Sequence, residues 1–386
     1  MKKTCRTLLP VLACALFGAA GAARADITVG IDLSSTGPAA AIGIASKNAI
    51  ALWPKEIGGQ KAHYIILDDG TDPGTAVKNI RKLLSEDKVD VVVGPNITPS
   101  ALAVTDDVAR AQTPMITLVG SSVVVDPQNA KKRWVFKMAA NDSAMADVMT
   151  RYMSNHGIKT VGFIGFADAY GQSWWQSFSR FAELRKIRIV GRESYNRTDT
   201  TVLGQVLKLI ADKPDAVLVA ASGTPAVLPQ RTLIERGYRG AIYQTHGIAT
   251  YAFIRVGGKD VEGTLFPTQP AVVAKTLPHD HPARPAALAF TKLYEAKYGP
   301  NTVTQFAADA YGVWDLLNNA VPRALKHGQP GTEAFRSGLR DALENIHNLP
   351  IPNGIVNTSV SDHVGLDQRA GVMGEIKHGR FVYISN

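Results

Sequence analysis

Hydroxyl side chains that follow two neighbouring strands are the residues best suited to bind a small anion. Thr98 and Ser100 come after the β-branched run 89–93 and a Gly-Pro pair, and Ser121 comes after the apolar run 115–119. Ser100 also has the character of an N-cap for the helix that apolar periodicity predicts directly after it. Hydroxyls and the free N–H groups of a helix N-terminus favour a negatively charged group, most simply a carboxylate.

The same residue types also form caps and turns that bind nothing, and each hydroxyl taken singly fits that interpretation equally well. The occurrence of two such loops within about thirty residues favours the anion pocket. The interpretation requires that both strands belong to one open sheet, because ligands of such sheets bind outside the carboxyl ends of the strands.

Strands and helices alternate in two successive sets, which predicts two parallel sheets with helices on their faces. The predicted strands of the first set are 27–33, 62–67, 89–93 and 115–119, and those of the second are 160–166, 187–195, 216–221 and 241–244. The stretch 256–282 is predicted to be irregular, three helices follow it, and the tail 354–383 is predicted to form extra strands or a hairpin. Each set has about the size of one domain, so the sequence predicts an α/β protein with two Rossmann-like lobes.

The first 25 residues have the pattern of a cleaved secretory signal peptide. Lys2, Lys3 and Arg6 precede an apolar run, and Ala23-Arg24-Ala25 fits the small-x-small cleavage pattern. No later segment has 18 consecutive apolar residues, as a membrane-spanning helix requires. We therefore expect a periplasmic protein.

Removal of this leader changes the composition of the chain. Both cysteines, Cys5 and Cys14, lie in the leader, so the mature protein contains no disulfide and no thiol nucleophile. The formal net charge falls from +9 to +5, because the leader has four basic residues and no acidic one. No block of five like charges remains, which argues against nucleic acid as a partner.

Five motifs, taken in order, resemble those of the periplasmic branched-chain amino-acid-binding proteins, the type I extracellular solute receptors of ABC transporters. They are Ser34-Ser35-Thr36-Gly37-Pro38, Asp68-Asp69 with Asp72-Pro73, Gly94-Pro95 with its hydroxyl loop, Thr113-Pro114-Met115-Ile116-Thr117 and Ala169-Tyr170-Gly171. The resemblance covers nearly the whole mature chain. It implies two lobes joined by three crossing strands, with the solute clamped in the cleft between them.

The resemblance also implies an organisation and a set of partners. The first lobe is expected to contain 26–141 and 274–350, and the second 142–273 and 351–386. The chain is expected to be a monomeric receptor, not an enzyme, that needs no cofactor and no metal and delivers a small carboxylate solute to the membrane permease subunits of an ABC importer. A ligand-sensing regulator of the same fold is a weaker alternative.

The resemblance implies the residues of the binding site. The solute carboxylate is expected to contact the hydroxyls of Thr98, Ser100 and Ser121 and the backbone at Val119. Tyr170, in the Tyr-Gly turn, is expected to approach the solute from the opposite lobe.

Four residues depart from the pattern of amino-acid receptors. Ile42 stands where those receptors place an aromatic residue, and Ser222 and Gly223 occupy a turn that is aromatic in some of them. His246 aligns with the acidic residue that pairs the solute ammonium. Because a buried ammonium without a carboxylate is costly, these changes favour an aromatic or related organic acid as ligand.

The main alternative is a receptor for leucine, isoleucine or valine, in which Asp168 or Asp199 would pair the ammonium. His246 would then be an ordinary turn residue. Trp174 or Trp175, near Tyr170, could supply a flat wall for a ring in the aromatic-acid interpretation, although an aromatic residue on a helix is more often part of the core.

Overall fold

The computed structural model describes residues 25–385, and Met1–Arg24 of the predicted signal peptide lie outside the described residues. The strands are β1 (Ile27–Leu33), β2 (Glu56–Ile57), β3 (Gln60–Asp68), β4 (Val91–Val93), β5 (Met115–Thr117), β6 (Val135–Lys137), β7 (Thr160–Phe166), β8 (Arg188–Tyr195), β9 (Ala216–Ala220), β10 (Ala241–Gln244), β11 (Leu265–Thr268), β12 (Leu349–Ile351), β13 (Gly354–Val356), β14 (Val372–Lys377) and β15 (Arg380–Ile384).

Helices connect these strands. They are α1 (Ala40–Ile50), α2 (Pro73–Ser85), α3 (Thr98–Arg110), α4 (Asp142–Asn155), α5 (Ala169–Leu184), α6 (Leu203–Ala211), α7 (Val227–Glu235), α8 (Tyr251–Gly257), α9 (Arg284–Tyr298), α10 (Gln305–Ala324) and α11 (Glu333–Leu343). Side-chain caps fix several of their first turns. Asp72 accepts the N–H of Thr75 at α2, and Asp168 accepts the N–H groups of Tyr170 and Gly171 at α5.

The first sheet has the strand order β2-β3-β1-β4-β5-β6. Its strands are parallel except β2, which pairs antiparallel with β3 at the edge. Val93 of β4 lies opposite both Ile31 of β1 and Ile116 of β5. The loops that follow these three strands therefore emerge at one edge of the sheet, as the sequence predicted.

The second sheet has the order β15-β14-β11-β10-β9-β7-β8. The strands β7 to β11 run parallel, and the tail adds the antiparallel hairpin β14–β15. Strand β11 lies in a stretch predicted to be irregular. Its Pro267, opposite Met373 of β14, has no N–H to donate to the neighbouring strand. Proline is therefore unusual inside a strand, and the sequence pattern predicted a loop here.

Each sheet is covered by apolar side chains on both faces, as parallel sheets require. In β4, Val91 and Val93 belong to the core beneath α1 and α10, whereas Val92 belongs to the core beneath α2 and α3. A separate core, which includes Phe163 and Trp174, surrounds the second sheet. The fold is therefore the two-lobed α/β architecture that the sequence predicted.

The chain passes between the two sheets three times: after β6, after β11 and before β14. Residues from 351 were assigned to the second lobe, but Ile351 and Val356 lie in the core of the first. We therefore propose that the C-terminal part of the second lobe begins near Val372. None of the helices described between residues 25 and 385 is long and apolar enough to cross a membrane.

Candidate ligand-binding site

The loops after β4 and β5 form one wall of the cleft between the lobes. Helix α3 begins at Thr98, and its N-cap, Ile97, provides no side-chain hydrogen bond. The prediction that Ser100 caps this helix is therefore wrong, because Ser100 lies inside its first turn. The first N–H groups of a helix lack intrahelical acceptors, so this turn offers donors as well as a hydroxyl.

A small cavity lies between this wall and the second lobe. Six of the nine predicted site residues line it: Ile42, Thr98, Val119, Tyr170, Ser222 and His246. The other lining residues are Asn96, Ile97, Leu118, Gly120, Ala139, Arg197, Gly247, Gln305 and Phe306. Residues from both lobes thus enclose one space, which is the arrangement that a clamped solute needs.

The three remaining predicted residues do not line this cavity. Ser100 is fully buried near Asp69, where the hydroxyls of Ser100 and Ser34 partly offset the rise in pKa that burial imposes on that carboxyl. Ser121 is buried next to Gly120, with no hydrogen-bond partner for its Oγ among the described residues. Gly223 lies at the rim, beside Ile42.

Thr98 presents the hydroxyl best placed to contact a solute. It is 1% exposed, and its Oγ1 has no hydrogen-bond partner among residues 25–385. A buried hydroxyl without a partner is costly, so this atom is suited to bind a ligand oxygen.

Replacement of Thr98 by Val, which keeps the shape and removes the hydroxyl, should weaken solute binding about ten-fold or more. A hydrogen bond to a charged group contributes about 1.5–3 kcal/mol. Calorimetry on Thr98→Val and on Ser100→Ala, a buried hydroxyl of the same helix that lies outside the cavity, tests this. Equal losses in the two variants would contradict a direct contact with Thr98.

His246 enters the cavity from the second lobe as a neutral imidazole. It is 2% exposed, and burial together with the charge of Lys137 lowers its pKa to about 3. Its Nδ1 has no partner among the described residues, and the Trp174 ring lies 5.5 Å from its own. Trp174 therefore packs against the His246 ring, and Trp175 packs against Phe163. Neither tryptophan lines the cavity.

Tyr170 is held in place by its hydroxyl. The Oγ1 of Thr245 donates to the carbonyl of Ala221 at 2.6 Å, so its single proton is used, and the Tyr170 O–H donates to that Oγ1 at 2.8 Å. Burial raises the pKa of Tyr170 well above its ordinary value. Tyr170 can therefore offer a solute its ring and an acceptor oxygen, but no proton.

Arg197 is a lining residue that the sequence analysis missed. Its guanidinium stacks 4.1 Å from the Phe166 ring centroid, donates from Nε to Asp168 at 2.7 Å and from Nη1 to Ser222 at 3.1 Å. Its Nη2 forms no hydrogen bond within the described residues, so a donor remains for a solute. The sequence offered only a charged turn, Asn196-Arg197-Thr198-Asp199, which is usually solvated.

Neither carboxylate considered as a partner for an ammonium lines the cavity. Asp168 caps α5 and pairs with Arg197. Asp199 accepts hydrogen bonds from the backbone and side chain of Asn196. All fifteen lining residues are neutral or basic, so the cavity is chemically suited to an anion.

The two lobes approach each other closely at several places across the cleft, and the N–H of Gln305 donates to the carbonyl of Ala249 at 3.3 Å. A Cβ placed on Gly120 would overlap Nε2 of His246, and one on Gly223 would lie 3.7 Å from Cδ1 of Ile42. Glycine at position 120 thus permits the backbone of the first lobe to lie against the imidazole of the second. The described conformation is one in which the lobes touch around the cavity.

A second, larger cavity lies between Tyr251, Val303 and Phe381. The smaller cleft is the better candidate site, because unpaired buried polar atoms converge there. No cluster of three or more metal-ligating side chains occurs in the described part of the chain.

Comparison with known proteins gives the family. The profile of the periplasmic binding protein family matches residues 26–375. An extracellular ligand-binding receptor from Rhodopseudomonas palustris HaA2 is 43% identical, with a TM-score of 0.90 and coverage of 94% of this chain and all of that one.

Two more distant relatives are named for what they bind. The Leu/Ile/Val-binding protein homolog 3 of Brucella melitensis is 26% identical over 83% of this chain and 85% of its own length. The Leu/Ile/Val-binding protein BraC3 of Rhizobium johnstonii is 24% identical over 88% and 90%. The chain therefore belongs to the periplasmic binding protein family, as a type I member of the leucine-binding kind, and is an extracytoplasmic solute-binding receptor of ABC-type transport.

Proposed function

We propose that this receptor captures a small organic acid, aromatic or closely related, in the cleft between its lobes. The observation that supports this most strongly is the charge of the cavity. Arg197 lines it, Thr98 presents an unpaired hydroxyl, and the lining contains no carboxylate. A carboxylate solute would be paired and hydrogen-bonded there, whereas an α-ammonium would lack a charged partner.

The apolar part of the cavity suits a flat solute. Ile42, Leu118, Val119 and Phe306 contribute apolar surface from the first lobe, and the Tyr170 ring faces them from the second. Small-molecule sites combine such apolar walls with a few polar groups that fix orientation. The acceptor oxygen of Tyr170 and the neutral His246 could bind a ring hydroxyl, so substituted aromatic acids also fit.

We propose that capture involves no chemical reaction. The lining contains no cysteine or lysine, and the imidazole of His246, with its pKa near 3, is a weak base. We further propose that the receptor acts as a monomer, that the solute stabilises the closed arrangement of the lobes, and that the closed form delivers it to the permease subunits of an importer.

The alternative ligand is a branched-chain amino acid, which the names of the Brucella and Rhizobium relatives favour. Its ammonium would need neutral acceptors. Gln305 supplies one, because it lines the cavity and its Oε1 has no partner among the described residues. A ligand-sensing regulator with the same cleft is a further alternative.

Titration separates the two ligand classes. Benzoate, phenylacetate and 3-phenylpropanoate should bind the ligand-free receptor more tightly than leucine, isoleucine or valine, because only the amino acids must desolvate an ammonium. Calorimetry measures affinity, and a rise in Tm provides an independent readout of binding. Tight binding of leucine without any response to the three acids would refute the organic-acid proposal and support the amino-acid receptor.

A further inference from the structure

Lys137 is a buried cation directly behind the candidate cavity. It is the last residue of β6, where the chain begins its first passage between the lobes, and it is 1% exposed. Lysine is almost never buried so fully unless it is paired. Its Nζ donates to the carbonyl of Gly120 at 3.2 Å and to the carbonyl of Ala139 at 2.5 Å.

Both of these carbonyls belong to residues that line the cavity. The Gly120 carbonyl accepts from Lys137 and from the N–H of Asp142. In a trans peptide the C=O and the next N–H point in opposite directions. The N–H of Ser121 therefore points away from Lys137, and it donates no hydrogen bond within residues 25–385.

The nearby carboxylates do not form an ion pair with Lys137. Asp142 accepts the N–H groups of Ser122 and Ser143 and the hydroxyl of Ser173, and Asp309 accepts Nδ2 of Asn353 at 2.6 Å. The Lys137 ammonium thus has two carbonyl partners and no salt bridge in the described part of the chain.

We propose that Lys137 is a specificity-determining residue, a buried positive charge that makes the site prefer an anion and that acts through the Gly120 and Ala139 backbone it holds. This proposal rests on the proposed capture of an organic acid and names the charge behind that preference. Arg197 provides the positive charge of the second lobe, and Lys137 provides that of the first. An anionic solute would lie between two cations that approach it from opposite lobes.

The charge state of Lys137 can be followed by pH. Burial lowers the pKa of Lys137 to about 8. The surrounding carboxylates raise this pKa and so partly offset burial; they are those of Asp126, Asp142, Asp309 and Asp362. Burial also raises the pKa of Asp309 to about 7. His246, which also lies near Lys137, stays neutral above pH 5. Above pH 8, the group that changes charge beside the cavity is therefore Lys137.

The expected result is a loss of affinity at high pH. Protonated Lys137 favours a bound anion, so affinity is greatest below its pKa and falls as the pH rises through it. With benzoate, phenylacetate or 3-phenylpropanoate, which do not titrate above pH 6, Kd should rise at least five-fold between pH 8 and pH 10, where Asp309 is already ionised. An affinity that stays constant over this range would overturn the proposal.

Variants separate charge from packing. Lys137→Met should weaken binding of these acids at least ten-fold at pH 7 and remove the pH dependence. Lys137→Arg, which retains its charge to higher pH, should bind within about three-fold of wild type at pH 7, and its affinity should stay constant between pH 8 and pH 10. Lys131→Met, at an exposed lysine near the same strand, is the matched control and should change nothing.

Two outcomes distinguish this proposal from the proposed function. If the wild-type receptor binds leucine and none of the acids, the organic-acid function fails. The role of Lys137 is then tested with leucine at pH 7, where its carboxylate is charged. If Lys137→Met is folded and binds within two-fold of wild type, the role of Lys137 fails while the organic-acid function stands. If Lys137→Met does not fold, the pH profile of the wild type and of Lys137→Arg decides.

Discussion

A single methyl group at Gly120 should weaken solute binding by about 100-fold. The added Cβ would overlap Nε2 of His246 and lie 2.7 Å from its Cε1. The imidazole has little room to retreat, because the rings of Trp174 and Tyr170 lie 5.5 Å and 6.5 Å from it. Gly120→Ala would therefore hold the lobes apart, and an open cleft can contact a solute from one lobe only.

Calorimetry and small-angle scattering test this expectation together. In the wild type, a saturating organic acid should reduce the radius of gyration, whereas in Gly120→Ala the radius should stay at its ligand-free value. Gly204→Ala is the matched control, because a Cβ at that helical position meets no atom within 4 Å. It should close and bind as the wild type does.

A second variant shows whether the imidazole causes the effect. His246→Ala removes the ring that the new methyl group would strike. The double variant Gly120→Ala/His246→Ala should therefore recover the ligand-induced decrease in radius, even if it binds more weakly than wild type. Normal closure and affinity in Gly120→Ala alone would show that the two lobes do not meet at these residues when the solute is bound.

Most of the fold could be predicted because its signals are local. The β-branched runs, the Gly-Pro stops and the helical periodicity between them identify β1, β3, β4 and β5 of the first sheet, whereas the short strands β2 and β6 were not predicted. Strand ends of a parallel sheet share one edge, so the position of Thr98 at the cleft follows from the sequence alone. Strand β11 escaped prediction because Pro267 and the glycines around it are typical of a loop.

The site was only partly predictable, because its remaining parts depend on how distant segments meet. The contact between Gly120 and His246 requires the relative placement of the two lobes, which no local pattern contains. The sequence around Arg197 is typical of a solvated turn, yet in the fold the Phe166 ring and the Asp168 carboxylate pack against its guanidinium. No sequence pattern singled out Lys137, and only the fold shows that this lysine is buried.

Replacement of Arg197 by Met should reduce affinity for an organic acid by roughly 100-fold or more. The change removes the guanidinium that lines the cavity and leaves the Asp168 carboxylate without its partner 2.7 Å away. Removal of the guanidinium from a hydrogen-bonded charge pair with the solute carboxylate costs about 2–5 kcal/mol of binding free energy. The remaining negative charge of Asp168 would in addition repel the anion. Calorimetry with benzoate, phenylacetate and 3-phenylpropanoate measures the loss.

Arg192→Met is the matched control for Arg197→Met. Arg192 also stacks on an aromatic ring, Trp175 at 4.2 Å, and hydrogen-bonds a side chain of α5, but it does not line the cavity. The Arg192→Met receptor should therefore bind the acids with wild-type affinity. Adding Asp168→Asn to Arg197→Met should restore part of the affinity, because asparagine can still cap α5 and no longer repels the anion. Equal affinity in wild type and Arg197→Met would show that the solute carboxylate lies elsewhere, and an unchanged loss in the double variant would exclude repulsion by Asp168 as its cause.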